Sequence, residues 1–204
     1  MTSGLEQLRN VMNTLRSPGG CQWDAKQTHE TLITYLIEET YELVDAIESG
    51  SSQDMREELG DVLLQVFFHS RIAEEDAANP FSIDDVAREV AEKLVRRHPH
   101  VFLDIKSDHI KENVEATWQS VKAEEKDRTH VLDGVPTSMP AITHFLKILT
   151  RLHNASIPFE NPKPENSNDH VGWILYHVAE LHKTSPDADM ELRIRVKELR
   201  DRLS

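Results

Sequence analysis

An all-α fold, a helical bundle, is what this sequence predicts, on three observations. Only seven glycines occur among 204 residues. Period-two alternation of β-branched residues is scarce, and apolar residues recur at three- and four-residue spacing along most of the chain. The first helix is expected over Leu5 to Leu15, where Leu5, Leu8, Val11, Met12 and Leu15 share a face. Ser17-Pro-Gly-Gly stops it and opens a loop, SPGGCQWDAKQTH, of about a dozen residues. The second helix runs from about Glu30 to Glu48 on Leu32, Ile33, Leu36, Ile37, Leu43, Val44 and Ile47, and Gly50 breaks it. The third, about Asp54 to Ala77, contains LGDVLLQVFF, apolar on nearly every side, and reads as the central, most buried helix. Ser82 and Asp85 resemble a capping box for a fourth helix that runs to Arg97, where Pro99 closes it. HPHVFLD forms the exit, and a fifth helix is expected from Ser107 to about Lys126. THVLDGVPTSMP reads as a linker. Helices over about Pro140 to His153, His170 to Lys183 and Asp189 to Leu203 complete the chain, the first two separated by the polar loop IPFENPKPENSND. The domains expected are a main helical one over about 1–130 and a smaller helical appendage over 131–204.

Composition narrows the function. Asp and Glu number 36 against 23 Lys and Arg, a formal net charge of -13. That balance argues against a binder of nucleic-acid polymers or anionic membranes, whose affinity comes from basic side chains. It leaves small phosphorylated ligands open, because a cation can invert the local field. The single cysteine, Cys21, excludes an internal disulfide framework and a multi-cysteine zinc site, and is best read as incidental. No apolar run approaches the ~20 residues that span a bilayer, and the N-terminal segment lacks a signal-peptide core. The expectation is a cytoplasmic protein.

The informative feature lies in helices two and three. Residues three apart are neighbours on one helix face. Glu39, Glu42 and Asp45 therefore form an acidic ridge, with Glu38 beside Glu42, while Glu58 and Asp61 pair on the next helix. Like charges at this spacing destabilise a helix, and facing ridges compound the cost. A hard divalent cation reverses the sign, because Mg²⁺ is held by carboxylates, water and phosphate oxygens. Spacing alone leaves two readings: a carboxylate metal site between antiparallel helices, or two solvated faces. The apolar flanks LIEETYELVDAI and ELGDVLLQVFF carry the carboxylates towards a core. No glutamate is followed by histidine three residues on, which argues against the diiron type of bundle.

Glu38-Glu39-x-x-Glu42 followed by Glu58-x-x-Asp61 resembles the EExxE…ExxD signature of the all-α nucleoside triphosphate pyrophosphohydrolases. The chain is most similar to the MazG family, through GCQWDAKQTHETL at 20–32, YLIEETYELVDAI at 35–47, ELGDVLLQVFFH at 58–69 and KLVRRHPHVF at 93–102. TWQSVKAEE at 117–125 and LDGVPTSMPAI at 132–142 continue the likeness, which covers roughly residues 5–155. The resemblance implies hydrolysis of a nucleoside triphosphate between its α- and β-phosphates with Mg²⁺, for which Mn²⁺ could substitute. It implies Glu39, Glu42, Glu58 and Asp61 as metal ligands, and Glu38 as an accessory carboxylate that binds a second ion or orients the attacking water.

EKLVRRHPH is the only basic cluster in the main domain. Lys93 and Arg97, one turn apart, present cations on one face, with Arg96 turned away. By themselves they suit a helix C-terminus, where cations complement the dipole; the resemblance makes them triphosphate contacts. Trp118 and Lys122 are likewise one turn apart, and their family counterparts look like nucleotide contacts, an aromatic face for a base and an ammonium for phosphate. Packing is the alternative for Trp118. Trp23, with Asp24 and Gln27, lines a base pocket or plugs the top of the bundle. His98 and His100 suit capping and packing at a helix end.

The chain departs from two-domain MazG proteins, because its C-terminal segments DHVGWILYHVAELHK and ADMELRIRVKELRDRL lack both EExxE and ExxD. The site in the first half is complete in all four ligand positions. A homodimer is expected, since helices with apolar sides such as Val62 to Phe68 need a further partner to close a bundle. A non-catalytic helical module that binds nucleotides or protein partners is the alternative.

Overall fold

Gly50 and Ser51 make a sharp joint between two helices. Gly50 adopts a left-handed conformation (φ 74°) that terminates one helix, and the Ser51 side chain accepts a hydrogen bond from the Asp54 N–H to start the next. With only two residues between them, α3 (Ile33–Ser49) and α4 (Ser52–Ala73) can only run antiparallel, and they form the most extensive helix pair. A computed structural model provides this geometry, and it describes residues 2–102, 130–185 and 187–203. Among them every regular element is helical.

Contacts divide the chain into two units, Met1–Trp118 and Gln119–Ser204. The boundary lies outside the described residues, as do the helix expected over 107–126 and the residues Trp118 and Lys122.

In the first unit, α1 (Gly4–Arg16) is capped by Ser3, whose hydroxyl accepts from the Glu6 N–H at 3.2 Å. The chain then turns so tightly that a Cβ on Gly20 would sit 2.2 Å from the Thr14 carbonyl oxygen, so glycine is required there. The expected loop holds a short helix, α2 (Gln22–Lys26). A helix this short is not predicted by periodicity; tertiary contacts hold it. Thr28 and Thr31 then exchange backbone-to-hydroxyl bonds at 2.9 and 3.3 Å, so α3 begins at Ile33 rather than at Glu30. Met12, Leu32, Phe67 and Phe68 form the core, with Leu8, Leu15, Leu64, Ile72 and Ile83 against it.

α5 (Ile83–Arg97) begins with the expected capping box, Ser82 and Asp85 bonding reciprocally, and an Arg9–Asp84 ion pair ties it to α1. HPHVFLD, expected as an irregular exit, contains a single turn, α6 (Pro99–Phe102). α4 is the central helix of this unit, as expected: it packs on α1, α3 and α5 and encloses Phe67, Phe68 and Ser70, while Leu59, Leu63 and Val66 lie on an open flank.

The second unit holds α7 (Ala141–Asn154), α8 (His170–Thr184) and α9 (Ala188–Leu203). Leu146, Leu149, Val178, Ala179 and Ala188 form its core. Asp169 caps α8, accepting from the Gly172 N–H at 2.9 Å.

Candidate metal and nucleotide site

The ridges of α3 and α4 meet across the helix pair. Glu39, Glu58 and Asp61 each present a carboxylate oxygen within 4.8 Å of the others, and all three are partly buried. Glu42, itself exposed, lies beside them: it accepts a hydrogen bond from the protonated Glu39 carboxyl and acts electrostatically on Glu58. Glu38 and Asp45 are exposed.

The electrostatics are those of a site short of positive charge. Desolvation first, then Asp61 and Glu42, hold the Glu39 carboxyl above the ordinary carboxylate range. The Glu58 carboxyl is raised in the same way, by desolvation, then Glu42 and Asp61, with smaller effects from Glu57 and Asp54. Each cause disfavours the ionised form. Glu58 Oε2 is moreover buried with no hydrogen-bond partner. A buried polar atom left unpaired costs free energy, so such an atom needs a reason. An all-oxygen donor set with an orphaned carboxylate oxygen fits a hard divalent cation.

The basic candidates lie on α5. Lys93 is partly buried and Arg97 buried on α5, which packs on α4 and is followed by α6. Arg97 already has an interaction partner. His98 Nδ1 lies 2.7 Å from the Leu94 carbonyl oxygen, a capping arrangement, and His100 packs against it at 5.8 Å between ring centroids. Trp23 is half-exposed on α2 and meets Tyr35 of α3 edge-on at 5.9 Å, so it does not plug the bundle. The Gln27 side chain is spent locally, accepting from the Thr31 hydroxyl at 2.8 Å and donating to the Trp23 carbonyl at 3.1 Å.

Two features escaped the sequence reading. His29 and His69 lie with Nδ1 atoms 2.7 Å apart and rings parallel within 2°. Desolvation, then the charge of His29, hold His69 below the ordinary imidazole range. Gln65, one turn before His69, is buried with its Oε1 unpaired. Both fall in line with Glu58 and Asp61 at about 100° per residue. Their polarity inside the run LGDVLLQVFFH was the signal available. The second feature is Arg16, buried at the end of α1.

A helical bundle whose facing helices converge carboxylates on one small volume defines a class: all-α proteins with a carboxylate cation site. The MazG nucleotide pyrophosphohydrolase domain family matches residues 27–102, which contain α3, α4, α5 and all the clustered carboxylates. Over 180 residues the chain is 39% identical to the nucleoside triphosphate pyrophosphohydrolase of Escherichia coli K12, covering 85% of this chain and 67% of that protein. It is 44% identical over 160 residues to the nucleoside triphosphate pyrophosphohydrolase/pyrophosphatase MazG of Thermotoga maritima, covering 78% of this chain and 60% of that one. It is also 49% identical over 170 residues to a 26.1 kDa protein of Streptomyces cacaoi, covering 83% of this chain and 68% of that protein. The chain belongs to the MazG family. It spans about two thirds or less of the length of these relatives.

Proposed function

We propose that this chain hydrolyses nucleoside triphosphates, ribo- or deoxy-, to the monophosphate and pyrophosphate, using Mg²⁺ with Mn²⁺ as a substitute. The observation that carries this reading is the convergence of Glu39, Glu58 and Asp61 within 4.8 Å, with one Glu58 oxygen left unpaired. Glu39, Glu42, Glu58 and Asp61 would hold the cation. When bound, it supplies positive charge to phosphate oxygens and to the leaving pyrophosphate. The rest falls to the chain. Glu38, exposed one turn from Glu42, orients the attacking water and accepts its proton. Lys93 and Arg97 grip the triphosphate, while Trp118 and Lys122 contact the nucleotide and Trp23 its nucleoside end. Residues 1–130 form the catalytic domain, and 131–204 a linker and a helical region that has lost the carboxylate motif. The acidic balance argues against nucleic-acid polymers as partners. The single cysteine and a nucleotide substrate suit the cytoplasm, where clearing surplus or noncanonical nucleotides is the inferred role.

The test offers a panel of ribo- and deoxynucleoside triphosphates with Mg²⁺ and measures pyrophosphate release. Glu42→Gln combined with Asp61→Asn is expected to lower kcat/KM by about 10³-fold or more, some 4 kcal/mol of transition-state stabilisation. Activity surviving in that variant would refute the site.

The assembly we infer is a homodimer. Ile33, Ile37 and Tyr41 form a four-residue-spaced exposed stripe on α3, and Leu59, Leu63 and Val66 another on α4. Apolar stripes on neighbouring helices are expected to be covered by another helical surface. Gel filtration with light scattering is expected to give about twice the chain mass of 23.4 kDa; a monomer at micromolar concentration would sink the assembly.

A further inference from the structure

Arg16 is a buried charge whose donors are met within the fold. Its side chain is 4% exposed, and it makes a bidentate pair with Glu75 at the end of α4, Nε to Oε1 at 3.1 Å and Nη2 to Oε2 at 2.8 Å. Nη1 donates twice more, to the carbonyl oxygens of Asp24 at 2.5 Å and Gln27 at 3.2 Å, and the guanidinium lies over Phe68 at 5.5 Å. A buried guanidinium needs its donors filled, and a planar fork with five N–H groups can fill them in several directions at once. Here two of the four bonds go to carbonyls of α2 and the segment after it. The only thing those bonds fix is where that segment lies.

The segment touches both carboxylate-bearing helices on the same side. Trp23 packs on Tyr35, one turn before Glu39 on α3. His29 packs on His69, two turns beyond Asp61 on α4. Its exposed groups include the Trp23 indole and the His29 imidazole, flat rings suited to a base or sugar, beside the Lys26 ammonium.

We propose that Arg16 is a positioning residue for nucleotide hydrolysis: by clamping the Asp24 and Gln27 carbonyls to Glu75, it holds the 23–29 segment as the nucleoside-facing wall of the carboxylate site. The proposal rests on the pyrophosphohydrolase reading above. Arg16 touches neither substrate nor reacting atoms; it acts through the segment.

The experiment compares the full chain with Arg16→Lys and Arg71→Met. Lysine keeps the charge but cannot fork between Glu75 and two carbonyls. Arg71 pairs with the same Glu75 at 3.1 Å and with Glu74 at 3.8 Å, so it is the control for disturbing that end of α4. For Arg16→Lys, KM for a nucleoside triphosphate is expected to rise about tenfold with kcat within about twofold, the signature of lost uniform binding. Tryptic cleavage after the exposed Lys26, followed by mass spectrometry, is expected to quicken about tenfold as the segment opens. Arg71→Met should leave both readouts within about twofold.

An unchanged KM in Arg16→Lys overturns the proposal, with or without faster cleavage. So does an equal rise in Arg71→Met, which would make the effect a general one of the helix end. A wild-type chain that releases no pyrophosphate fails differently: it removes the substrate the wall would face, and the pyrophosphohydrolase reading with it. Hydrolysis that is intact in the wild type and indifferent to Arg16 removes the clamp alone.

Discussion

The first unit handles ionised side chains in two opposite ways. At Arg16 and Glu75 a buried cation is met by a carboxylate, two carbonyls and an aromatic face, and Arg16 holds the Glu75 carboxyl below its ordinary range. At Glu39, Glu58 and Asp61, several carboxylates are brought within 4.8 Å, two of them are pushed above the ordinary range, and one oxygen is left unpaired. Both arrangements cost desolvation. Only the first repays it from within the chain. Positions that stay uncompensated are where function is to be sought, because repulsion left in the fold is what a ligand of opposite charge can relieve.

The largest expected effect follows directly. A divalent cation that binds the folded chain and not the unfolded one stabilises it by RT ln(1 + [L]/Kd), about 2.7 kcal/mol at a hundredfold excess over Kd. Mg²⁺ or Mn²⁺ should therefore raise the thermal midpoint, whereas Na⁺ at equal ionic strength should not. Asp61→Asn should raise the midpoint of the metal-free chain, by removing one like charge, and abolish the further rise with Mg²⁺. Calorimetry of the two proteins with and without cation reads all four midpoints. If Asp61→Asn lowered the metal-free midpoint while wild type ignored the cation, the carboxylates would be ordinary structural groups and the contrast with Arg16 would collapse.

What the sequence made legible was whatever depends on a local period. The helix pair, its glycine stop at Gly50, the Ser82–Asp85 capping box and the two acidic ridges all follow from neighbours within four residues. Facing ridges then followed from one further step, a short Gly-Ser-Ser break between helices taken as antiparallel neighbours. The same arithmetic also put Asp45 in the ridge, yet the structure leaves it exposed and groups Glu39 with Glu58 and Asp61 instead. Arg16 and Glu75 are 59 residues apart, and His29 and His69 are 40 apart, so no periodicity connects them. The short helix α2 was missed for the same reason. Its five residues contribute little helical stability of their own, and the bonds that hold it come from Arg16. The open flank of α4 agrees with the apolar sides read from Val62 to Phe68; an apolar run says that surface is to be covered, but not by which helix.

The smallest effect sharpens the comparison by its sign. For Glu39 and Glu58 the folded state favours the protonated form more than the unfolded chain does. Their contribution to stability is therefore fully present below the unfolded carboxylate pKa, about 4.3, and is lost as pH rises through the raised folded values. Glu75 and Asp85 are lowered, Asp85 to about 2, chiefly by hydrogen bonds from Ser82. Their contribution is present above the unfolded value and is lost as pH falls through the folded one. In the absence of divalent cation, the midpoint difference between wild type and Glu39→Gln plus Glu58→Gln should thus move against wild type as pH rises above the unfolded carboxylate value, about 4.3. The difference between wild type and Glu75→Gln should move in favour of wild type as pH rises towards the unfolded carboxylate value, about 4.3. Saturating Mg²⁺ should reverse the first trend, since cation binding requires the ionised carboxylates, and should leave the second unchanged. Slopes of the same sign in both series would mean that the carboxylate cluster is compensated within the fold after all, just as Arg16 is.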